Sequence, residues 1–186
     1  MTALPQHKMT VDEYLAWAEG QPGRYELYTG RVYAMAPERA GHAKVKFAVQ
    51  AAFAAAIRKA GAECHMLPDG MTVRVDANTA HEPDALVYCG EELPDSAIEV
   101  PNPVILVEVL SPSTRRIDAS LKLAGYFSIE SVRHYLIVDP ERPLIIHHAR
   151  VGDDSIRTQI HYQGVLVLDP PGLEVAVEDF YPAPAE

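Results

Sequence analysis

Asp84, Glu108 and Lys122 are the residues of this 186-residue chain whose types and spacing could do chemistry together. Asp84 follows the Pro that opens Pro83-Asp84-Ala85-Leu86-Val87-Tyr88, and Glu108 stands near the end of Val104-Ile105-Leu106-Val107-Glu108-Val109-Leu110. Both runs are rich in β-formers, so each carboxylate falls where an apolar strand gives way to a polar break. Two carboxylates at neighbouring strand ends can hold Mg²⁺ or Mn²⁺ through oxygen, leaving water and phosphate oxygens to complete the shell. A lysine beside them then orients the attacking water or offsets charge developing on the phosphate. A carboxylate among Val, Leu and Ile loses several kcal/mol by desolvation unless something meets it, so Glu108 demands a partner. Plainer roles fit the same residues: Asp84 as a strand-start residue, Glu108 as the mate of an arginine, and Lys122 as an i, i+4 pair with Asp118 on a helix surface.

The elements that must position these groups follow from local patterns. Thr10-Val11-Asp12-Glu13 is a capping box ahead of a short helix that ends near Gly20. Arg24 to Tyr28 and Arg31 to Met35 flank Thr29-Gly30 and predict a hairpin. From Gly41 to Ala60 one apolar stripe (Val45, Val49, Ala52, Phe53, Ala56, Ile57) predicts a long helix closed by Gly61. Cys64 to Val75 suggests two short strands turning at Pro68-Asp69-Gly70, and the two acid-bearing strands come next. Between those strands, Gly90 to Pro103 is a surface loop. Beyond Ser111-Pro112-Ser113-Thr114-Arg115-Arg116, Asp118 caps a helix over Ala119 to Ile129. The final third predicts strands at Tyr135 to Val138 and Leu144 to His148, with Ile156 to Tyr162 and Val165 to Leu168 as an antiparallel pair. The order predicts one domain over residues 1–186, of α/β (α+β) class, with a strand-rich core packed by two main helices.

A net charge of −10 disfavours indiscriminate nucleic-acid binding. The basic share sits early: residues 1–60 hold eight Lys/Arg against five Asp/Glu, and residues 61–186 hold eight against twenty-one. No apolar run approaches the roughly 18 residues of a membrane span, and the first residues lack an apolar signal core, so the expectation is a soluble cytoplasmic protein. Cys64 and Cys89, without CxxC spacing, are expected to be buried thiols in a reducing compartment rather than a disulfide or zinc site. His147 and His148 are adjacent in a strand and point to opposite faces, and His65, His81, His134 and His161 have no matched spacing, so no zinc site is expected. The sequence contains no P-loop, GxGxxG or GxSxG motif.

Tyr25-Glu26-Leu27-Tyr28-Thr29-Gly30, Pro83-Asp84, Val107-Glu108-Val109-Leu110-Ser111-Pro112-Ser113-Thr114, Asp118, Lys122, Tyr126 and Val138-Asp139-Pro140 closely resemble the Uma-two family of putative restriction endonucleases, within the PD-(D/E)XK nuclease superfamily. The resemblance runs from about Met9 to about Arg150. It implies a restriction-endonuclease-like mixed central sheet flanked by helices, Mg²⁺- or Mn²⁺-dependent hydrolysis of DNA, and a homodimer. It also places the superfamily's acidic pair on Asp84 and Glu108. The superfamily's lysine position, two residues after the acid, is Leu110 here; the resemblance supplies Lys122 instead. Glu26 in the hairpin motif is an added metal ligand or steers water on this view, or else pairs with Arg24 or Arg31. His42 contacts phosphate or is an ordinary helix-start residue. The competing expectations are a non-catalytic binding or assembly protein that keeps the fold, supported by the acidic surface and displaced lysine, and a hydrolase of small phosphoesters.

Overall fold

The computed structural model describes residues 4–110, 118–152 and 155–182, with the backbone alone at 118–120. Helix α1 (Val11–Ala18) starts on the expected capping box: Glu13 N–H donates to Thr10 Oγ1 (3.3 Å), and Thr10 N–H donates to Glu13 Oε2 (2.8 Å). The hairpin β1 (Tyr25–Tyr28) and β2 (Arg31–Ala34) turns through Thr29 (φ 48°) and Gly30 (φ 82°). Positive φ at both central residues is what matches a two-residue turn to the strand twist. Helix α2 (Ala40–Ala60) is Ala-rich, lays Val45, Val49, Ala52, Phe53 and Ala56 along one buried stripe, and closes on Gly61 in the left-handed conformation.

Among the described residues the strands form three sheets. β3 (Cys64–Pro68), β6 (Ala85–Cys89), β7 (Pro103–Val109), β8 (His134–Val138), β9 (Ile145–Val151) and β10 (Ser155–His161) build a six-stranded sheet in the order β10-β9-β8-β7-β6-β3. Among the described residues only the β7–β8 pairing in it is parallel, and α3 (Asp118–Ser128) lies in that connection. β4 (Val73–Asp76) and β5 (Thr79–His81) join the hairpin in a second sheet of order β2-β1-β5-β4. β11 (Val165–Leu168) and β12 (Leu173–Ala176) pair with each other.

Among the described residues three apolar cores hold these layers. α2, β11, β12 and the 3₁₀ turn Val177–Phe180 cover one face of the large sheet, where Phe53, Val107, Leu136, Leu166 and Phe180 meet. On the opposite face, Leu86, Leu106, Tyr135 and Ile137 pack against Tyr126 of α3 and Val73 of β4. The smallest core joins α1 to the second sheet through Val11, Tyr14, Leu27, Val32 and Ala80. Gly125 permits the close approach of α3 to β4, since a Cβ there would come within 3.3 Å of Val75 Cγ1.

The two strands expected over Cys64 to Val75 are present with their turn at Asp69-Gly70, and they enter different sheets. Several expectations need correction. The strand over 156–162 pairs with β9, not with 165–168, and 165–168 pairs with the unanticipated strand β12. Cys64 and Cys89 are not free thiols. They are register partners on antiparallel β3 and β6 and form a disulfide, because strand pairing places their side chains opposite each other across 25 residues of sequence. The Ser111 to Arg116 motif lies outside the described residues, as does the side chain of Asp118. Among the described residues no helix is long and apolar enough to cross a membrane.

Candidate active site

The candidate site lies where the two larger sheets and α3 meet. Pleat alternation and register put Glu108 of β7 on the same face as its partner Ile137 and as Tyr135, toward α3. Lys122 and Tyr126, four residues apart on α3, share a helix face and both reach Glu108. Lys122 Nζ donates to Glu108 Oε1 at 2.9 Å, and Tyr126 Oη donates to the same oxygen at 2.7 Å. From the other sheet, Glu26 of β1 presents Oε1 to Lys122 Nζ, also at 2.9 Å, and to the backbone N–H of Glu82 at 3.1 Å. Lys122 is 5% exposed, so its ammonium is a buried strut between two carboxylates and not a helix-surface charge. Arg24, one possible mate for Glu26, pairs instead with Glu82 and Asp69.

Asp84 sits immediately before β6, anchored to the adjacent strand. Its N–H donates to Val107 O (2.9 Å), and its Oδ2 accepts the Val109 N–H (2.8 Å). α2 supplies two basic side chains here: Lys46 Nζ lies 3.9 Å from Asp84 Oδ1, and His42 Nε2 lies 3.6 Å from Oδ2. His42 also meets the Val109 carbonyl through Nε2 (2.8 Å) and Glu38 through Nδ1 (2.7 Å). Its placement at the start of α2 therefore ties that helix to the end of β7. Lys46 is further held by Glu38 (2.5 Å) and Asp69 (3.0 Å).

The electrostatics separate the acids. Burial drives the Glu108 carboxyl up to about 8, the neighbouring charges of Asp84 and Glu26 push the same way, and Lys122 and Tyr126 offset only part of this. Asp84 is also raised by burial, against the Val109 N–H and the charges of His42 and Lys46. Burial acts on Glu26 in the same sense, but the imidazole of His81, 3.7 Å away, and the Lys122 ammonium outweigh it and hold Glu26 at about 2. Glu26 is the charged partner of Lys122, whereas Glu108 holds its proton near neutral pH and, once ionised, would carry negative charge that the chain does not fully compensate.

That surplus is the observation relevant to a divalent cation. Glu26, Asp84 and Glu108 offer only hard carboxylate oxygens, which suit Mg²⁺ or Mn²⁺. Among the described residues no three His, Cys, Asp or Glu side chains are gathered closely enough to hold a metal as they stand. Lys122 already spans the gap between Glu26 and Glu108.

Sequence reasoning did not place Lys46, Asp69, Arg24 or His81 in the site. His81 is 4% exposed, stacks on Tyr28 and meets Tyr126 edge-on. Lys46 carried a signal, since it interrupts the α2 face beside Val45 and Val49, where a charge needs a partner.

The family described as Uma2, putative restriction endonuclease, matches residues 11–180. The uncharacterized protein slr1290 of Synechocystis sp. is 29% identical over 184 residues, covering 96% of this chain and 94% of that protein. A second uncharacterized Synechocystis protein, sll1609, is 25% identical over 147 residues, covering 78% and 82%. The crystal structure of a putative nuclease belonging to DUF820 from Anabaena variabilis superposes with a TM-score of 0.71 at 14% identity, covering 92% of this chain and 97% of that one. That structure shares the mixed-sheet, helix-flanked fold.

Proposed function

Because the chain belongs to the Uma2 family of putative restriction endonucleases, we propose that it is a Mg²⁺- or Mn²⁺-dependent DNA endonuclease hydrolysing phosphodiester bonds. The observation that carries this reading is the placement of Lys122 Nζ 2.9 Å from both Glu108 and Glu26 at the junction of the sheets. Asp84 and Glu108 are the residues that would hold the cation, with Glu26 as a further oxygen donor. When bound, the cation would lower the pKa of water and withdraw charge from a phosphate oxygen. The chain's own groups supply the rest. Lys122 offsets charge as the phosphorus acquires its fifth oxygen, and Glu26 fixes the direction of that ammonium. Val109 N–H orients Asp84, while Lys46 places a positive charge, and His42 an imidazole, on the Asp84 side of the site. Burial excludes water that would screen these interactions.

The deciding experiment is cleavage of plasmid, linear and single-stranded DNA with Mg²⁺, Mn²⁺ or EDTA, beside Asp84→Ala. Metal-dependent nicking that the variant lacks is the expected result. If folded wild-type protein cuts none of the three with either metal, the buried Lys122 pairs are structural and the non-catalytic assembly protein is the better reading.

We also infer a homodimer, supported by β10, an exposed seven-residue strand at the edge of the large sheet. Sedimentation at micromolar concentration giving a mass near 20.4 kDa would refute it.

A further inference from the structure

On the face of the large sheet opposite Glu108, strand pairing collects three histidines that are far apart in sequence. His134 alternates with Tyr135 along β8, so it points away from the carboxylate site. β9 runs antiparallel beside it with Ala149 opposite His134 and His147 two residues away on the same face. On β10, Gln159 stands opposite His147, and His161 is again two residues along. His134 Nδ1 lies 2.9 Å from His147 Nε2, and the His147 and His161 rings are 5.8 Å apart between centroids. With Gln159, Asp169 and Arg157 these histidines line a cavity of about 400 Å³.

The hydrogen bonds determine which nitrogens are available. His134 Nε2 lies 3.0 Å from the carbonyl oxygen of Pro170, which can only accept, so Nε2 carries the proton and Nδ1 accepts from His147 Nε2–H; moving that His147 proton to its Nδ1 frees both facing lone pairs for an ion. A backbone carbonyl holding the far nitrogen is the arrangement that fixes a ligating imidazole in orientation and tautomer. His161 Nε2 is buried without a hydrogen-bond partner, which leaves it wanting a ligand or a proton acceptor. His147 bridges the two. Burial also disfavours the charged form of all three rings, holding His134 at about 4 and His147 at about 3, so they are neutral at pH 7, the form that binds metal.

We propose that His134, His147 and His161 form a transition-metal site of Zn²⁺ class, separate from the carboxylate site and on the other face of the sheet. The three imidazoles do not yet surround one point. Nδ1 of His134 and Nε2 of His147 need to separate slightly from hydrogen-bond distance to admit an ion, since two nitrogens each about 2.0–2.1 Å from tetrahedral Zn²⁺ lie roughly 3.4 Å apart. His161, half-buried on the edge strand, closes the set by turning its side chain. Water, Asp169 or Gln159 completes the shell. Imidazole donors select Zn²⁺, Ni²⁺ or Co²⁺ over Mg²⁺, so the two sites differ in ligand class.

The test uses full-length, tag-free protein stripped with EDTA, with Zn²⁺ and Co²⁺ themselves as probes. Wild type should bind Zn²⁺ with an affinity that Asp84→Ala leaves unchanged, and Co²⁺ should give the visible absorption of a nitrogen-ligated, low-coordinate ion. His147→Gln and His161→Ala should each weaken binding at least tenfold. His161 is at the sheet edge, so its variant tests the site even if His147→Gln fails to fold. Zn²⁺ binding that is lost in Asp84→Ala, that is unaffected in His161→Ala, or that is absent from wild type would overturn the proposal.

Discussion

The Lys122 ammonium lies at the same 2.9 Å from Glu26 Oε1 as from Glu108 Oε1, although those acids belong to different sheets and are 96 and 14 residues from the lysine. One cation thus serves two buried carboxyl groups, so its removal bears on the fold and, on the proposed mechanism, on the chemistry as well.

Lys122→Met keeps most of the side chain's bulk and deletes its charge. On the proposed mechanism it lowers DNA cleavage by about 10²-fold or more, the usual effect of losing one preorganised charge-stabilising group at about 3 kcal/mol. Divalent-cation binding survives. The variant also leaves two buried carboxylates without their shared partner, so the metal-free protein should lose about 3 kcal/mol of stability. Parallel urea melts and cleavage rates check both, and wild-type rates in the variant would remove Lys122 from the chemistry.

Glu108 gives the metal-free protein a pH signature. Its carboxyl rises from the ordinary 4.5 to about 8 on folding, so between those values the folded chain retains a proton that the unfolded chain has released. The associated stability is complete below about pH 4.5 and is lost as pH rises through 8. Glu26, depressed to about 2, behaves oppositely: its contribution is present above 4.5 and lost in more acidic solution, outside this window. In EDTA, Tm should therefore fall by about 5 °C or more between pH 5 and 9, and Glu108→Gln should flatten the curve. Equal slopes for wild type and Glu108→Gln would show that Glu108 is not the group responsible.

The Cys64–Cys89 bond closes a 25-residue separation between β3 and β6. Chain-entropy arguments assign a loop of that size about 3 kcal/mol. Reduction with dithiothreitol should lower Tm by about 6 to 12 °C. Thiol titration of the folded, air-purified chain should find no free cysteine; two reactive thiols would mean the bond is not formed in solution.

Thr29 adopts φ 48°, a left-handed conformation that is costly for a β-branched residue. Asn tolerates it and makes the favoured Asn-Gly pair with Gly30. Thr29→Asn should stabilise the protein by about 0.5 to 1 kcal/mol, read as a higher urea midpoint at unchanged slope; a lower midpoint would contradict the turn assignment.

Patterns carried by neighbouring residues are legible in the amino-acid sequence. The capping box at Thr10, the Thr29-Gly30 hairpin, the α2 stripe and the helix bearing Lys122 and Tyr126 are all written within a few turns of chain. Pairing between distant segments is not. Pro68-Asp69-Gly70 has the chemistry of a hairpin turn, yet β3 and β4 separate because β6 and β5 compete for them as partners. The same limit hides Cys64 opposite Cys89 and the approach of His161 to His147, which depend on register across the sheet and leave no spacing to count. Of the candidate site, Asp84, Glu108 and Lys122 stand out because charge beside an apolar run needs an explanation. His81 does not, since an isolated histidine at the end of a short strand carries no such tension.

Glu26 and His81 ride on one plate of the molecule, Asp84 and Glu108 on another, and Lys122 is the latch across the seam. On the proposed mechanism, competence at the seam therefore depends on how the two sheets dock as well as on which side chains are present. A ligand that recognises only the latched arrangement gains apparent affinity in proportion to the fraction latched. In return it adds RT ln(1 + [L]/Kd) to the closure of the seam. Substitutions in the small plate, remote from any scissile bond, would then tune activity by changing how often the two plates are latched.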